Sequence, residues 1–81
     1  MSQPPLQSAQ NSSFPKMLRI KQVIELTGLS RTTIYALMNP SSSRHDPTFP
    51  QRVPLTRATV GWIASEIAAW LESRIAQSRQ Q

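Results

Sequence analysis

The segment from Val23 to Tyr35 constrains the fold more than any other part of this 81-residue chain. Two short runs with apolar residues at helical spacing meet at Gly28, and a hydroxyl residue, Ser30, opens the second run. Glycine readily adopts the left-handed backbone that ends a helix, and serine is a favoured N-terminal cap. This layout predicts a helix-turn-helix.

The same pattern sets the bounds of the two helices. Residues from Ile20 to Thr27 repeat at the three-four spacing of one helix face, which predicts the first helix over that range. Leu29 lies in the turn and should fill the gap between the helices. The second helix is predicted from about Arg31 to Met38, because Asn39-Pro40 stops it.

A loop and a β-hairpin are predicted after the second helix. Residues 41–48 are polar and turn-rich, so we expect an exposed loop there. Extended runs at residues 49–55 and 59–62 flank the tip at residues 56–58. Two prolines confine the first run to an edge strand, since proline donates no hydrogen bond to a sheet.

The last predicted helix begins after Ser65, its expected cap, and its apolar spacing directs Trp70 and Leu71 to the core. Trp62 is expected in the core as well, rather than as a platform for base stacking. The predicted fold class is therefore mainly α with a small β-hairpin, which together make a winged helix-turn-helix.

The composition divides the chain into three parts. Residues 1–16 are mostly polar and uncharged, and we predict a disordered N-terminal tail. Residues 17–76 form the predicted DNA-binding domain, and residues 77–81 a flexible C-terminal end. A folded part of this size is near the lower limit for a self-supporting core, and too small for a deep catalytic pocket.

Charge and residue types limit the function classes. The net charge is +5, and the excess lies on the helix-turn-helix and the segment after it, which favours an anionic partner. No cysteine is present, and His45-Asp46 has no positioned nucleophile nearby in the sequence. We therefore expect no enzymatic activity, no metal and no cofactor.

Nothing in the sequence indicates a membrane protein or a secreted one. No run approaches the roughly 18 apolar residues of a membrane span. The first residues lack the basic start and apolar run of a secretory signal. We expect a cytoplasmic, nucleoid-associated protein.

The exposed face of the second helix fits the major groove of duplex DNA, which is about 12 Å wide. The amides at its start and the Ser30 hydroxyl can bind a phosphate, and Arg31 can reach a phosphate or a guanine. Arg52 and Arg57 are predicted on or near the hairpin tip, where they would enter a minor groove or clamp its phosphates. The predicted DNA-binding residues are Lys21, Ser30, Arg31, Thr32, Thr33, Tyr35, Arg52 and Arg57.

Five motifs in this order resemble one known family. They are Leu18-Arg19-Ile20-Lys21-Gln22-Val23, Thr27-Gly28-Leu29-Ser30-Arg31-Thr32-Thr33-Ile34-Tyr35, Phe49-Pro50, Val60-Gly61-Trp62 and Ser65-Glu66-Ile67-Ala68-Ala69-Trp70-Leu71. From Leu18 to Ile75 the chain is similar to the AlpA-type regulators of phages and prophages, which are relatives of excisionases with a MerR-like winged helix-turn-helix.

This resemblance implies DNA binding near a prophage or an integrative element, with an integrase or excisionase gene as the regulated target. It also implies that the recognition surface includes the residues from Ser30 to Thr33 and Tyr35. The chain departs from the family pattern at three places. Ala36 replaces an arginine that is frequent in the family, and the wing tip at residues 56–59 lacks the usual glycines. The loop at residues 39–48 is also longer than usual.

Two alternative functions are open at the sequence level. An excisionase-type directionality factor would bend DNA through the same contacts. A protein-interaction adaptor would need an apolar patch on the outer face of the second helix, which the sequence does not supply. The expected partners are double-stranded DNA and, on it, a second copy of the chain, with RNA polymerase or an integrase as candidate protein partners.

Overall fold

The computed structural model describes residues 14–80. Within these residues, three helices accompany a three-stranded antiparallel sheet. Most of the predicted N-terminal tail and Gln81 lie outside the described residues. The elements in chain order are β1 (Met17–Leu18), α1 (Ile20–Thr27), α2 (Arg31–Met38), β2 (Val53–Pro54), β3 (Val60–Ile63) and α3 (Ala64–Arg79).

The helix-turn-helix forms as predicted, with α1 and α2 at the predicted bounds. Gly28 ends α1 with a φ of 75°, and its amide donates to the carbonyl of Ile24 at 2.8 Å. The Ser30 hydroxyl caps α2 by accepting from the Thr33 amide at 3.1 Å. Leu29 is half-buried against the core between the helices. The local signals of glycine stop and serine cap are sufficient here.

The sheet confirms the predicted hairpin and adds a strand that the sequence did not reveal. The strand order is β1-β3-β2, so β2 is an edge strand, which agrees with the proline it contains, Pro54. β1 pairs with β3 through Met17 opposite Ile63 and Leu18 opposite Trp62. Two residues are too few to show the alternating pattern from which strands are predicted.

The first extended run of the hairpin is shorter than predicted, because Phe49 lies outside the strand. Its side chain is only 1% exposed, and its ring meets the Trp70 ring edge-on at a centroid distance of 4.9 Å. Such a contact contributes about 0.5–1.5 kcal/mol beyond simple burial. Phe49 therefore anchors the segment before β2 in the core.

The predicted cap of the last helix, Ser65, is wrong. The helix begins at Ala64, so Ser65 is its second residue, and no side chain caps it. β3 runs directly into α3, and the Ala64 amide donates to the carbonyl of Lys16 at 2.8 Å. The chain beside β1 thus supplies the partner that a capping side chain would otherwise provide. α3 continues through Arg79, beyond the predicted boundary at residue 76.

The core combines residues from all three helices, from β1 and β3, and from the segment before β2. Trp62 is 0% exposed and Trp70 is 9% exposed, which confirms both as core residues. α3 leaves the core after Leu71, because Ile75 is 48% exposed. The buried hydrophobic residues of this core are Leu18, Val23, Ile34, Phe49, Trp62, Ile67 and Trp70.

The loop after α2 is fastened by Asp46, a role that the sequence did not indicate. Its amide donates to the carbonyl of Leu37 at 2.9 Å. Its carboxylate accepts from the Thr48 amide at 2.8 Å, from the Thr48 hydroxyl at 2.6 Å and from the Trp70 indole at 3.1 Å. A charge-assisted set of this kind holds the loop between α2 and α3. Asp46 is therefore structural.

Candidate nucleic-acid interface

The outer face of α2 is polar and open to solvent at its start. Arg31 and Thr32 are exposed, whereas Ile34 on the opposite face is 0% exposed. Tyr35 and Ala36 are half-buried. The helix therefore packs through one face and presents short polar side chains and an arginine on the other, which is the pattern of a helix that enters a groove.

Two of the predicted contact residues at the start of α2 are engaged with each other. The Thr33 amide donates to the Ser30 hydroxyl, and that hydroxyl donates to the Thr33 hydroxyl at 3.0 Å. The Ile34 amide donates to the carbonyl of Ser30 at 3.0 Å. Since the first amides of a helix have no partner inside it, those of Arg31 and Thr32 remain to bind an anion.

Tyr35 is held in place by the core. Its ring meets that of Trp62 edge-on, with centroids 6.5 Å apart and planes at 72°. Trp62 is fully buried, so the tyrosine ring lies on a rigid support. Packing against the core therefore limits the positions that the Tyr35 ring can adopt.

Arg52 is not at the hairpin tip, which corrects the position predicted from the sequence. It directly precedes β2, at the end of the strand away from the tip, and lies beside the C-terminal end of α2. There it lines a small open cavity of about 240 Å³, which we call the α2 notch. The residues that line the α2 notch are Tyr35, Met38, Asn39, Gln51 and Arg52.

Gln51 was not among the predicted site residues, and the structure brings it into the α2 notch with Asn39 and Tyr35. Gln51 follows α2 by more than ten residues, and its place depends on the path of the intervening loop. No local sequence motif predicts the path of that loop. Asn39, by contrast, shares the outer face of α2 with Thr32 and Tyr35 at helical spacing.

Arg57 and Lys21 do not line the α2 notch and lie on other elements of the fold. Arg57 is exposed in the turn between β2 and β3, which is closed by a hydrogen bond from the Leu55 amide to the Thr59 carbonyl at 2.7 Å. Lys21 is exposed in the first turn of α1. The structure therefore distributes the predicted basic contacts over α1, α2, the segment before β2 and the hairpin turn.

The positive charge of this surface is not neutralised inside the protein. Among residues 14–80, the one ion pair joins Arg74 to Asp46 at 3.8 Å. None of the four predicted basic contacts, Lys21, Arg31, Arg52 and Arg57, pairs with a carboxylate in that part of the chain. These charges remain available to phosphates.

Neither a metal centre nor a membrane span is found in the part of the chain that the structure describes. It contains no group of three metal-ligating side chains, and no helix long and apolar enough to cross a membrane. A groove of about 480 Å³ lies between residues 48–51 and α3, and Glu66 is the one ionisable residue that lines it. That groove offers no pair of groups for acid-base catalysis.

Comparison with known proteins gives the following matches. Residues 11–75 match the family described as "Prophage CP4-57 regulatory protein (AlpA)". The chain is 47% identical over 64 residues to the "DNA-binding transcriptional activator AlpA" of Escherichia coli (strain K12), which covers 79% of this chain and 91% of that protein. It is 38% identical over 72 residues to "Uncharacterized protein ORF88" of Enterobacteria phage P4, which covers 89% and 75% respectively. No solved structure matches the chain significantly.

Proposed function

Because this chain belongs to the AlpA family of prophage regulatory proteins, we propose that it is a sequence-specific DNA-binding regulator of transcription. Its target is a prophage or an integrative element, with an integrase or excisionase gene as the regulated unit. It acts at the nucleoid in the cytoplasm. It is a regulator and not an enzyme, as its family indicates.

The observation that carries the proposal is the polar outer face of α2 within a helix-turn-helix. In such a motif the second helix lies in the major groove, and its first residues contact base edges. Arg31 and Thr32 are the exposed side chains at that position. Arg31 suits a guanine edge or a phosphate, while Thr32 offers a hydrogen bond and a methyl group to a neighbouring base.

Phosphates on either side of the groove would be held by the surrounding groups. The amides at the start of α2 bind one phosphate, where the helix dipole adds positive potential. Arg57 in the hairpin turn reaches the backbone or the minor groove beyond it. Arg52 and Lys21 each add one charge. These contacts supply affinity and salt dependence, whereas the face of α2 supplies sequence preference.

A protein-interaction adaptor gains no support from the surface of α2. The large apolar side chains exposed among residues 14–80 are Phe14, Leu26, Leu55 and Ile75, and none of them lies on α2. The outer face of this helix therefore lacks the contiguous apolar patch that an adaptor requires. DNA is the partner that its charge and polarity fit.

The proposal is tested by selection from a random duplex pool at about 0.15 M salt, where weak surface attraction is screened. The wild-type protein should enrich one motif, and Arg31→Ala should lose most of that enrichment. Arg79→Ala, at the far end of α3, is the matched control and should enrich the wild-type motif. Retention of duplexes without any motif, or no retention at all, would contradict sequence-specific regulation.

A single module of this size buries a limited surface on DNA, so we propose that copies assist one another there. Gel shifts on a duplex with two half-sites should then show cooperative, doubly bound complexes. A tight complex of strictly one protein per duplex would contradict self-association on DNA without contradicting DNA binding.

A further inference from the structure

We propose that the α2 notch is a second base-reading site, in which Gln51 recognises the major-groove edge of an adenine. The inference rests on the proposed function and extends it from the start of α2 to the far end of that helix. A glutamine carboxamide presents one acceptor and one donor at the spacing of adenine N6 and N7. Gln51 is exposed, lines the α2 notch and makes no side-chain hydrogen bond to another described residue.

The backbone that carries Gln51 is fixed on both sides. The two preceding residues, Phe49 and Pro50, are buried, and Phe49 belongs to the core. The residues after Arg52 form β2, in which Val53 pairs with Gly61 and Pro54 pairs with Val60. A side chain on a segment held at both ends loses little further backbone freedom on binding, which is the condition for selective readout.

Asn39 provides a second amide on the same rim. Its side-chain oxygen accepts from the Ser41 amide at 2.9 Å, which fixes the carboxamide and leaves its NH₂ group to donate. Asn39 continues the face of α2 that begins with Thr32 and Tyr35. The proposed base-contacting surface therefore extends along α2 from Thr32 to Asn39, and Gln51 continues it on the other side of the α2 notch.

The charge of the α2 notch fits DNA. The C-terminal end of a helix carries partial negative charge, which by itself would repel a phosphate. Arg52 lies at this end of α2 and compensates for it. None of the side chains that line the α2 notch is acidic, and three of them, Asn39, Gln51 and Arg52, carry N–H donors.

The length of α2 places the second site relative to the first. Arg31 and Asn39 are eight positions apart, which is about 12 Å along a helix axis. Base pairs are spaced by about 3.4 Å, so a helix lying along the groove spans roughly three to four of them. We therefore place the adenine read by Gln51 three to four base pairs, approximately, from the bases nearest Arg31 and Thr32.

The test compares the motifs that four proteins enrich from the same random duplex pool: wild type, Gln51→Ala, Gln51→Glu and Gln77→Ala. Gln51→Ala should lose preference at one outlying position and bind the wild-type motif roughly 5- to 150-fold more weakly, while preferences at the other positions persist. Gln51→Glu should replace adenine by cytosine at that position, because a carboxylate accepts from cytosine N4. A misfolded variant could not produce such a switch.

Gln77→Ala, on the exposed surface of α3, is the matched control and should retain the wild-type motif. The inference is overturned if the Gln51 variants enrich the wild-type motif unchanged, or if they only lose affinity equally at all sequences, as a phosphate contact would. If the wild type itself enriches no motif, the proposed function fails, and this inference fails with it. If the wild type enriches a motif and the Gln51 variants enrich the same motif, the second base-reading site is excluded but the proposed function is not.

Discussion

The indole N–H of Trp70 donates to the carboxylate of Asp46 at 3.1 Å, and this bond joins α3 to the loop that follows α2. The same loop leads to Phe49, whose ring packs edge-on against Trp70. Together the two contacts fix the start of the segment that brings Gln51 and Arg52 beside α2. The Asp46 carboxylate thus lies outside the proposed DNA-binding surface but helps to position the residues that form it.

Removing that carboxylate should loosen the loop. Asp46→Ala deprives the amide and hydroxyl of Thr48 and the indole of Trp70 of their acceptor. We expect the free energy of unfolding to fall by about 1–3 kcal/mol, because the part-buried indole N–H is left without a partner. Urea unfolding measures this change, and Asp46→Asn, which keeps an acceptor oxygen, should lose less. Identical midpoints for Asp46→Ala and wild type would contradict the structural role.

The same residue should make the stability depend on pH. The hydrogen bond from the Thr48 hydroxyl, then those from the Thr48 amide and the Trp70 indole, and the charge of Arg74 hold the pKa of Asp46 below its ordinary value of 3.8, against the opposing effect of partial burial. A carboxyl with a lowered folded-state pKa stabilises the fold above its unfolded-state pKa. That stabilisation is lost as the pH falls through the folded-state value.

We therefore expect the difference in unfolding free energy between wild type and Asp46→Asn to be constant near neutral pH. It should shrink as the pH falls below the ordinary pKa of 3.8 and through the lowered folded-state pKa. Urea unfolding at a series of pH values measures the difference. A difference that stays constant down to the lowest pH, or grows there, would contradict the assigned direction of the shift.

Variants of Ser30 should separate its capping role from its role towards DNA. Ser30→Ala removes the acceptor of the Thr33 amide and should reduce the free energy of unfolding by about 0.5–2 kcal/mol. Ser30→Asp keeps a good cap, so thermal unfolding should be close to that of wild type. Its carboxylate faces the phosphate proposed at the start of α2, so DNA affinity should still fall. Wild-type affinity of Ser30→Asp would exclude a phosphate at this position.

Arg57 is predicted to contact the DNA backbone from the hairpin turn. Arg57→Ala should weaken binding at all sequences and reduce the slope of log affinity against log salt by about 0.9, the value for one lost phosphate contact. Arg79→Ala serves as the control, because this arginine is also exposed but ends α3. Fluorescence anisotropy over a salt series measures both slopes. If the two variants gave the same slope, Arg57 would be an ordinary solvated residue.

Local signals accounted for the helix-turn-helix. Gly28 and Ser30 act within one turn of chain, so the bounds of α1 and α2 and the polar face of α2 could be predicted from neighbouring residues. Ser65 failed as a cap because Ala64 finds its partner in Lys16, almost fifty positions earlier. A hydrogen bond between residues so far apart in sequence cannot be predicted from a local sequence pattern.

The same reason explains what the sequence missed in the candidate site. Arg52 is predicted on or near the hairpin tip, in the extended run over residues 49–55. Its true position beside Asn39 depends on the loop that Asp46 and Trp70 fasten. Gln51 is not among the predicted site residues because its position depends on the same loop. Given the path of that loop, the packing of Phe49 against the core accounts for the position of Gln51 and Arg52 beside α2.

The most direct test of sequence-specific binding is an equilibrium titration of the wild-type protein with two duplexes at about 0.15 M salt. One carries the motif enriched from the random pool, and the other has the same base composition in scrambled order. If α2 reads bases, the first should bind more tightly by a factor on the order of a thousand. Equal affinity for the two duplexes would mean that the surface recognises only phosphates, and would contradict sequence-specific regulation.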